Sequence, residues 1–216
     1  MVITYFGHEF FKVQFGETTL AFNPISKESK LKTTRFGADI ALISLNDVDL
    51  NGREQVSFGE REAFIIDGPG EYEVKDVFIK GFLSGEGPTQ KNSKGELNTI
   101  YTVSLEGMNI CFLGALSSKD IGTETKSALG DIDILFVPIS GEDVLTGSEA
   151  YKLAVSLGAR LIIPMHYSEG KEGRAIVDAF LKEGVAGKAE TVEKLTLKKK
   201  DLEGKEGHIV VLTPTI

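Results

Sequence analysis

Through the N-terminal segment apolar residues fall at every second position or in short clusters between turn residues. This pattern predicts strands at Val2 to Phe6, Phe10 to Phe15 and Thr18 to Phe22, with Phe15-Gly16-Glu17-Thr18 as a hairpin turn. Asp39 to Ser44 is more continuously apolar, as expected of a strand covered on both faces, and runs into Asn46-Asp47-Val48-Asp49. Those polar residues are therefore expected at the C-terminal edge of a strand. Branched and aromatic content predicts further strands at Ala63 to Ile66, Val74 to Ile79, Thr99 to Leu105, Asn109 to Leu113 and Ile132 to Val137. The period then changes. Thr146 with Glu149 three residues on predicts a capped helix start, with Tyr151, Ala154 and Val155 facing inward and Gly158 as the stop. Leu161-Ile162-Ile163 reads as a buried strand. A second helix is predicted from about Glu172 to Glu183, with Ile176, Ala179 and Phe180 as its apolar stripe and Gly184 as its cap. Thr191 to Leu197 and His208 to Leu212 are the last strand candidates. Strands dominate and helices come late, so the pattern predicts a layered α/β or α+β arrangement, with helices covering the outer faces of packed sheets.

Composition narrows the setting. The 216 residues carry 32 Asp and Glu against 24 Lys and Arg, a formal charge of -8, which argues against a basic nucleic-acid wrapper. A chain of this length buries roughly 70% of its extended surface, enough for one substantial core, and a single domain over 1-216 is expected. With Cys111 as the one cysteine no intramolecular disulfide can form, and the composition fits a reducing compartment. The start lacks a basic region before a long apolar stretch, and no apolar run approaches the ~20 residues needed to cross a bilayer, so the expectation is a cytoplasmic protein with no membrane partner. The glycine-broken segment Ser84 to Glu96 is expected to be a loop, either a mobile flap or disordered.

Chemistry is limited by histidine, of which there are three: His8, His166 and His208. A multi-histidine zinc cluster is therefore hard to assemble. Asn46, Asp47 and Asp49 form a polar rim that His166, following an apolar strand, can join. For the two aspartates, turn bonding and solvation compete with metal binding; for His166, a hydrogen bond to the backbone competes with metal or substrate contact. His8, beside Gly7 at a tight junction between strands, and His208 read as structural. Cys111 lies in a buried strand and reads as a small hydrophobe. Ser44, Ser117 and Ser118 lack a nucleophile motif, and Gly68-Pro69-Gly70-Glu71-Tyr72 lacks the lysine and spacing of a phosphate loop. Its glycines are expected to shape a turn, from which Glu71 either approaches a pocket or stays solvated.

Five ordered segments carry a resemblance: Ile3-Thr4-Tyr5-Phe6-Gly7-His8, Leu20-Ala21-Phe22-Asn23-Pro24, the Ala38 to Asn51 strand and turn, Gly68-Pro69-Gly70-Glu71-Tyr72, and Ile163-Pro164-Met165-His166-Tyr167. Together they resemble the metallo-beta-lactamase superfamily, especially its small bacterial metal-dependent hydrolase-like branch, over nearly the whole chain. The resemblance implies a four-layer αββα sandwich, with a metal site at the edge between the sheets in members that keep their ligands. The family's first metal motif, His-x-His-x-Asp-His, matches Leu45-Asn46-Asp47-Val48-Asp49-Leu50, so its histidine positions carry Leu45, Asp47 and Leu50, and its aspartate is Asp49. The next family histidine falls near Ser84 to Glu86, where none exists. The bridging aspartate is matched by Ala115, and the final histidine by His166.

Two function classes follow from the resemblance. One is a noncatalytic or divergent member without the dinuclear centre or any cofactor, binding an unidentified small molecule or protein partner through Asn46, Asp47, Glu71 and His166. In the other, a metal-dependent hydrolase of an ester, lactone or phosphoester uses one divalent metal such as Zn, Mn or Fe at Asp47, Asp49 and His166, with Asp49 and His166 as its catalytic candidates. Homo-oligomerisation is left open by either.

Overall fold

The computed structural model describes residues 1–59, 61–84, 97–184 and 189–215. Strands β1 (Val2–Tyr5), β2 (Phe11–Phe15) and β3 (Thr18–Phe22) form an antiparallel meander in which Phe15 pairs with Thr18 across the Gly16-Glu17 turn. Gly16 sits there at φ 55, a conformation that only glycine adopts without steric cost. Strand β4 (Ile40–Leu42) pairs in parallel with β3 and with β5 (Phe64–Ile66). Flanked on both sides and covered on both faces, β4 is fully buried, which is why its apolar run is unbroken.

The second sheet starts with the antiparallel strands β6 (Gly70–Val74), β7 (Val77–Leu83), β8 (Thr99–Leu105) and β9 (Met108–Phe112). Helix α1 (Thr123–Leu129) precedes β10 (Ile134–Pro138), and α2 (Gly147–Ser156) links β10 to β11 (Leu161–Met165). Helix α3 (Gly170–Glu183), β12 (Glu190–Val192), β13 (Lys194–Thr196) and β14 (His208–Leu212) complete the chain. Among the described residues the order is β13-β1-β2-β3-β4-β5 in one sheet and β12-β14-β11-β10-β9-β8-β7-β6 in the other.

The sheets face each other across an apolar interior, where Phe11 meets Phe136 at 4.7 Å and Phe22 meets Phe112 at 4.9 Å between ring centroids. The opposite face of the larger sheet packs against the helices through Leu153, Ala154, Val177 and Phe180. Among the described residues this mixed α/β arrangement of two sheets and three α-helices is the fold class expected from the sequence. Over the outer face of the smaller sheet, Phe6, Phe10 and Ala41 pack against Ile25, Phe36, Ala38 and Val56 of the chain between β3 and β5. Among the described residues that outer layer has no α-helix.

Several local expectations change. Val74 to Ile79 is a hairpin, because Lys75 and Asp76 take φ of 51 and 60 and reverse the chain, as a two-residue primed turn requires. Gly70-Glu71-Tyr72 accordingly lies in β6 rather than in a turn. Thr191 to Leu197 splits at Glu193 into β12 and β13, which belong to different sheets. Helix α1 was not expected because it buries Leu129 alone and has no apolar stripe. Thr146 and Glu149 do form the reciprocal cap of α2, but Val155 is 55% exposed rather than inward. Helix α3 begins at Gly170, and Gly184 ends it with extended backbone rather than a left-handed cap.

Candidate functional site

The turn between β1 and β2 is tight. Phe6 N–H donates to Phe10 O (2.8 Å) and Phe10 N–H to Gly7 O (2.9 Å), with Gly7 at φ 94 and His8 at φ 54. This turn brings His8 and Glu9 to the end of β11, where His166 N–H donates to His8 O at 2.6 Å and Tyr5 Oη–H donates to the same carbonyl at 2.9 Å. His166 (φ 59) and Asn23 (φ 40), which follow β11 and β3, are also left-handed. Such backbone costs of order 1 kcal/mol for a non-glycine residue and persists only where surrounding bonds hold it.

A side-chain network supplies those bonds. Glu9 is 0% exposed, and each of its carboxylate oxygens has a donor: His166 Nδ1–H reaches Oε1 at 2.5 Å, and Asn23 Nδ2–H reaches Oε2 at 2.6 Å. Asn23 Nδ2 also donates to Ser44 Oγ (2.8 Å), and Ser44 N–H donates to Asn23 Oδ1 (2.8 Å). A carboxylate oxygen facing Nδ1 accepts the hydrogen carried there, so in the tautomer with Nδ1–H the lone pair is on Nε2. The His8 and His166 rings lie 4.0 Å apart, tilted by 48°. Burial and then the His166 ring lower the His8 pKa to about 4, against the weaker opposing pull of Glu9, Asp49 and Asp47. His8 is thus neutral at physiological pH.

The rings open onto a cleft of about 440 Å³ whose lining includes His8, His166, Asp49, Lys30, Ser140 and Glu142. The Oγ of Ser140 is shielded from solvent and has no hydrogen-bond partner among the described residues.

Of the residues singled out from sequence, Asp49 and His166 meet in this cleft, and Asp49 accepts from the Ser29 hydroxyl. Asp47 turns its Oδ1 to Asp49 N–H at 2.9 Å, closing the bend that follows β4. Asn46 accepts from Asn51 Nδ2 on the exposed side of the bend. Glu71 does not line the cleft; it lies 77% exposed on the sheet-edge strand β6, 3.0 Å from Lys80 Nζ. Leu45, Leu50 and Ala115, which the resemblance matches to family ligand positions, pack with Val144 into a small cluster in which none is more than 6% exposed. Among the described residues no group of three or more His, Cys, Asp or Glu is arranged to hold a metal ion. From residue 85 onward the expected flap, and with it most of the stretch where a further family histidine would fall, lies outside the described residues. Burial pushes the Cys111 thiol far up, consistent with a packing role.

Sequence reasoning missed Glu9, Asn23 and Ser44. The available signal was a carboxylate set among aromatic residues, Phe6 to Phe11, where only a partnered charge can be buried. Asn23 and Ser44 gave no comparable signal, because each is polar at a strand end, where polar residues are ordinary.

Comparison with known proteins agrees with this architecture. The family model of the beta-lactamase superfamily domain matches residues 2–166. A UPF0173 protein of Pyrococcus abyssi is 24% identical over 201 residues, covering 85% of this chain and 90% of that protein. A proposed zinc-dependent hydrolase of the metallo-beta-lactamase superfamily from Thermotoga maritima superposes with a TM-score of 0.78 at 29% identity, over 98% of this chain and 97% of that one. Igni18, a metallo hydrolase of Ignicoccus hospitalis, shares the fold with a TM-score of 0.66 at 18% identity, over 100% and 96% of the two chains.

Proposed function

Given that the chain belongs to the beta-lactamase superfamily, we propose that it is a divergent member that has lost the usual dinuclear metal centre and binds a small molecule in the cleft beside His8 and His166. The observation that carries this reading is the cluster of Leu45, Leu50, Ala115 and Val144. Methyl and methylene groups offer no lone pair to a cation, and filling the volume with them removes the water that a metal would carry. The donor set therefore does not fit the family's dinuclear group. His166 in turn has its Nδ1 engaged by Glu9, a protein carboxylate, which meets its bonding need on that edge internally. The cleft rather than the exposed bend is the favoured binding place, because its walls combine Phe6, Ile25 and Tyr167 with a few polar groups.

Metal analysis of untagged protein, purified from cells grown with added Zn, Mn or Fe, tests this reading. The expected result is no stoichiometric metal in folded protein. A stoichiometric metal that disappears in His166→Ala would overturn it.

One observation favours a second reading. Asp49 and His166 line the same cleft, so a single divalent Zn, Mn or Fe ion could be held there by these two with Asp47, supplying Lewis-acid activation of water toward an ester, lactone or phosphoester. On that reading Asp49→Ala abolishes metal-dependent hydrolysis, and Asp47 must give up its present bond to the Asp49 amide.

A further inference from the structure

Glu9 is a fully buried carboxylate whose oxygens are taken up by His166 and Asn23, and the ring it orients stands in the wall of the cleft with 17% of its side chain exposed. A buried acid holding Nδ1 of an imidazole presents Nε2 as a proton acceptor in a fixed orientation, which is the arrangement general-base chemistry needs. Resting on the reading that the dinuclear centre is absent, we propose that Glu9 and His166 form a metal-free acid–base dyad that hydrolyses small uncharged carboxylic esters in this cleft. Glu9 acts through His166 and is a positioning residue; His166 is the catalytic base.

One further observation defines the site. The charged lining is mostly acidic: Asp49, Glu142, Glu169 and Glu172 against Lys30 and Lys32, with Lys32 already 3.5 Å from Glu169. Such a rim repels phosphoesters and other anionic substrates, while Phe6 and Tyr167 offer an apolar surface to an uncharged acyl group.

The reaction balances without a cofactor. His166 Nε2 takes a proton from water as the water oxygen bonds to the acyl carbon, and the carbonyl electron pair moves onto the acyl oxygen. That pair then re-forms the carbonyl as the bond to the alcohol oxygen breaks. The proton on Nε2 passes to the departing alkoxide, giving acid and alcohol and restoring the dyad.

Hydrolysis of p-nitrophenyl acetate by the full chain, with and without excess chelator, tests the proposal alongside metal analysis of the same sample. The expected result is turnover that chelator leaves unchanged, with kcat lowered about 100-fold or more in His166→Gln. Glu9→Gln is expected to lower kcat with little change in KM, and Glu9→Asp to recover part of the loss. Equal turnover in His166→Gln, or turnover of p-nitrophenyl phosphate at a rate matching the acetate, would overturn the dyad and the substrate class, respectively. Metal-free protein with no turnover overturns the dyad alone and leaves the proposed function standing. Turnover that appears only with bound metal overturns both.

Discussion

The chain solves two opposite problems on either side of one peptide bond. Ser44 joins Glu9, Asn23 and His166 in a buried polar network, whereas Leu45 enters an apolar cluster with Leu50, Ala115 and Val144. In the polar corner each oxygen of the Glu9 carboxylate has a donor, because a buried charge without partners costs several kcal/mol. In the apolar cluster only contact matters, and small changes in shape set the energy. The comparison teaches that neighbouring residues can be buried by two different rules, polar groups by matched hydrogen bonds and apolar groups by contact alone.

The largest effect is expected in the polar corner. Glu9→Ala leaves Asn23 and His166 with unmatched donors and should cost about 3–5 kcal/mol in urea unfolding, well beyond what Glu9→Gln costs. If the two cost the same, the corner is held by packing rather than by hydrogen bonds.

In the apolar cluster Leu50→Ala should cost about 3 kcal/mol through the cavity it opens. Combining Leu45→His, Leu50→His and Ala115→Asp inverts the comparison. This variant is expected to be less stable than the parent without metal and to recover stability on adding zinc, read as a rise in Tm. No response to zinc would show that the backbone there no longer suits a metal.

Acid should separate the regions next. With the His8 pKa held at about 4, below its ordinary 6.5, the unfolded chain takes up this proton first as pH falls. The stability tied to neutral His8 is complete above about 6.5 and is lost from there toward about 4, roughly 3 kcal/mol in total. His8→Asn, which keeps a residue tolerant of the left-handed backbone, should flatten that slope in unfolding curves taken across the window. The Leu50→Ala variant should keep it.

The smallest effect lies outside both regions. Thr146→Ala keeps the backbone bridge to Ser140 and removes only the side-chain cap of α2, so it should cost about 1 kcal/mol with ligand binding in the cleft unchanged. A change in the cleft there would mean that the two regions are coupled to the helical layer.

Much of the architecture was legible because it is written in local periodicity. Thr18–Phe22 and Thr99–Leu105 alternate or run apolar as their positions in the sheets demand, and Thr146 with Glu149 marks the start of a helix. The hairpin at Lys75 and Asp76 was not legible, since neither residue is glycine and both adopt left-handed backbone only under the pull of the two paired strands. The turn expected at Gly70-Glu71-Tyr72 is instead a sheet-edge strand, on which Glu71 stays solvated rather than approaching a pocket. Asp49 and His166 were legible as candidates through their motif positions, and the structure brings them into one cleft.

By itself the sequence determined the layered sheets, the late helices and the apolar character of Leu45, Leu50 and Ala115. These are properties of residue type and spacing along the chain. Only the tertiary structure decided that Glu9 reaches His166 across 157 positions and Asn23 across 14, and that Ser44 closes the network from 21 positions beyond Asn23. Sheet pairing sets those meetings, and hydrogen bonds of under 3 Å form only once the paired strands have fixed where each side chain ends.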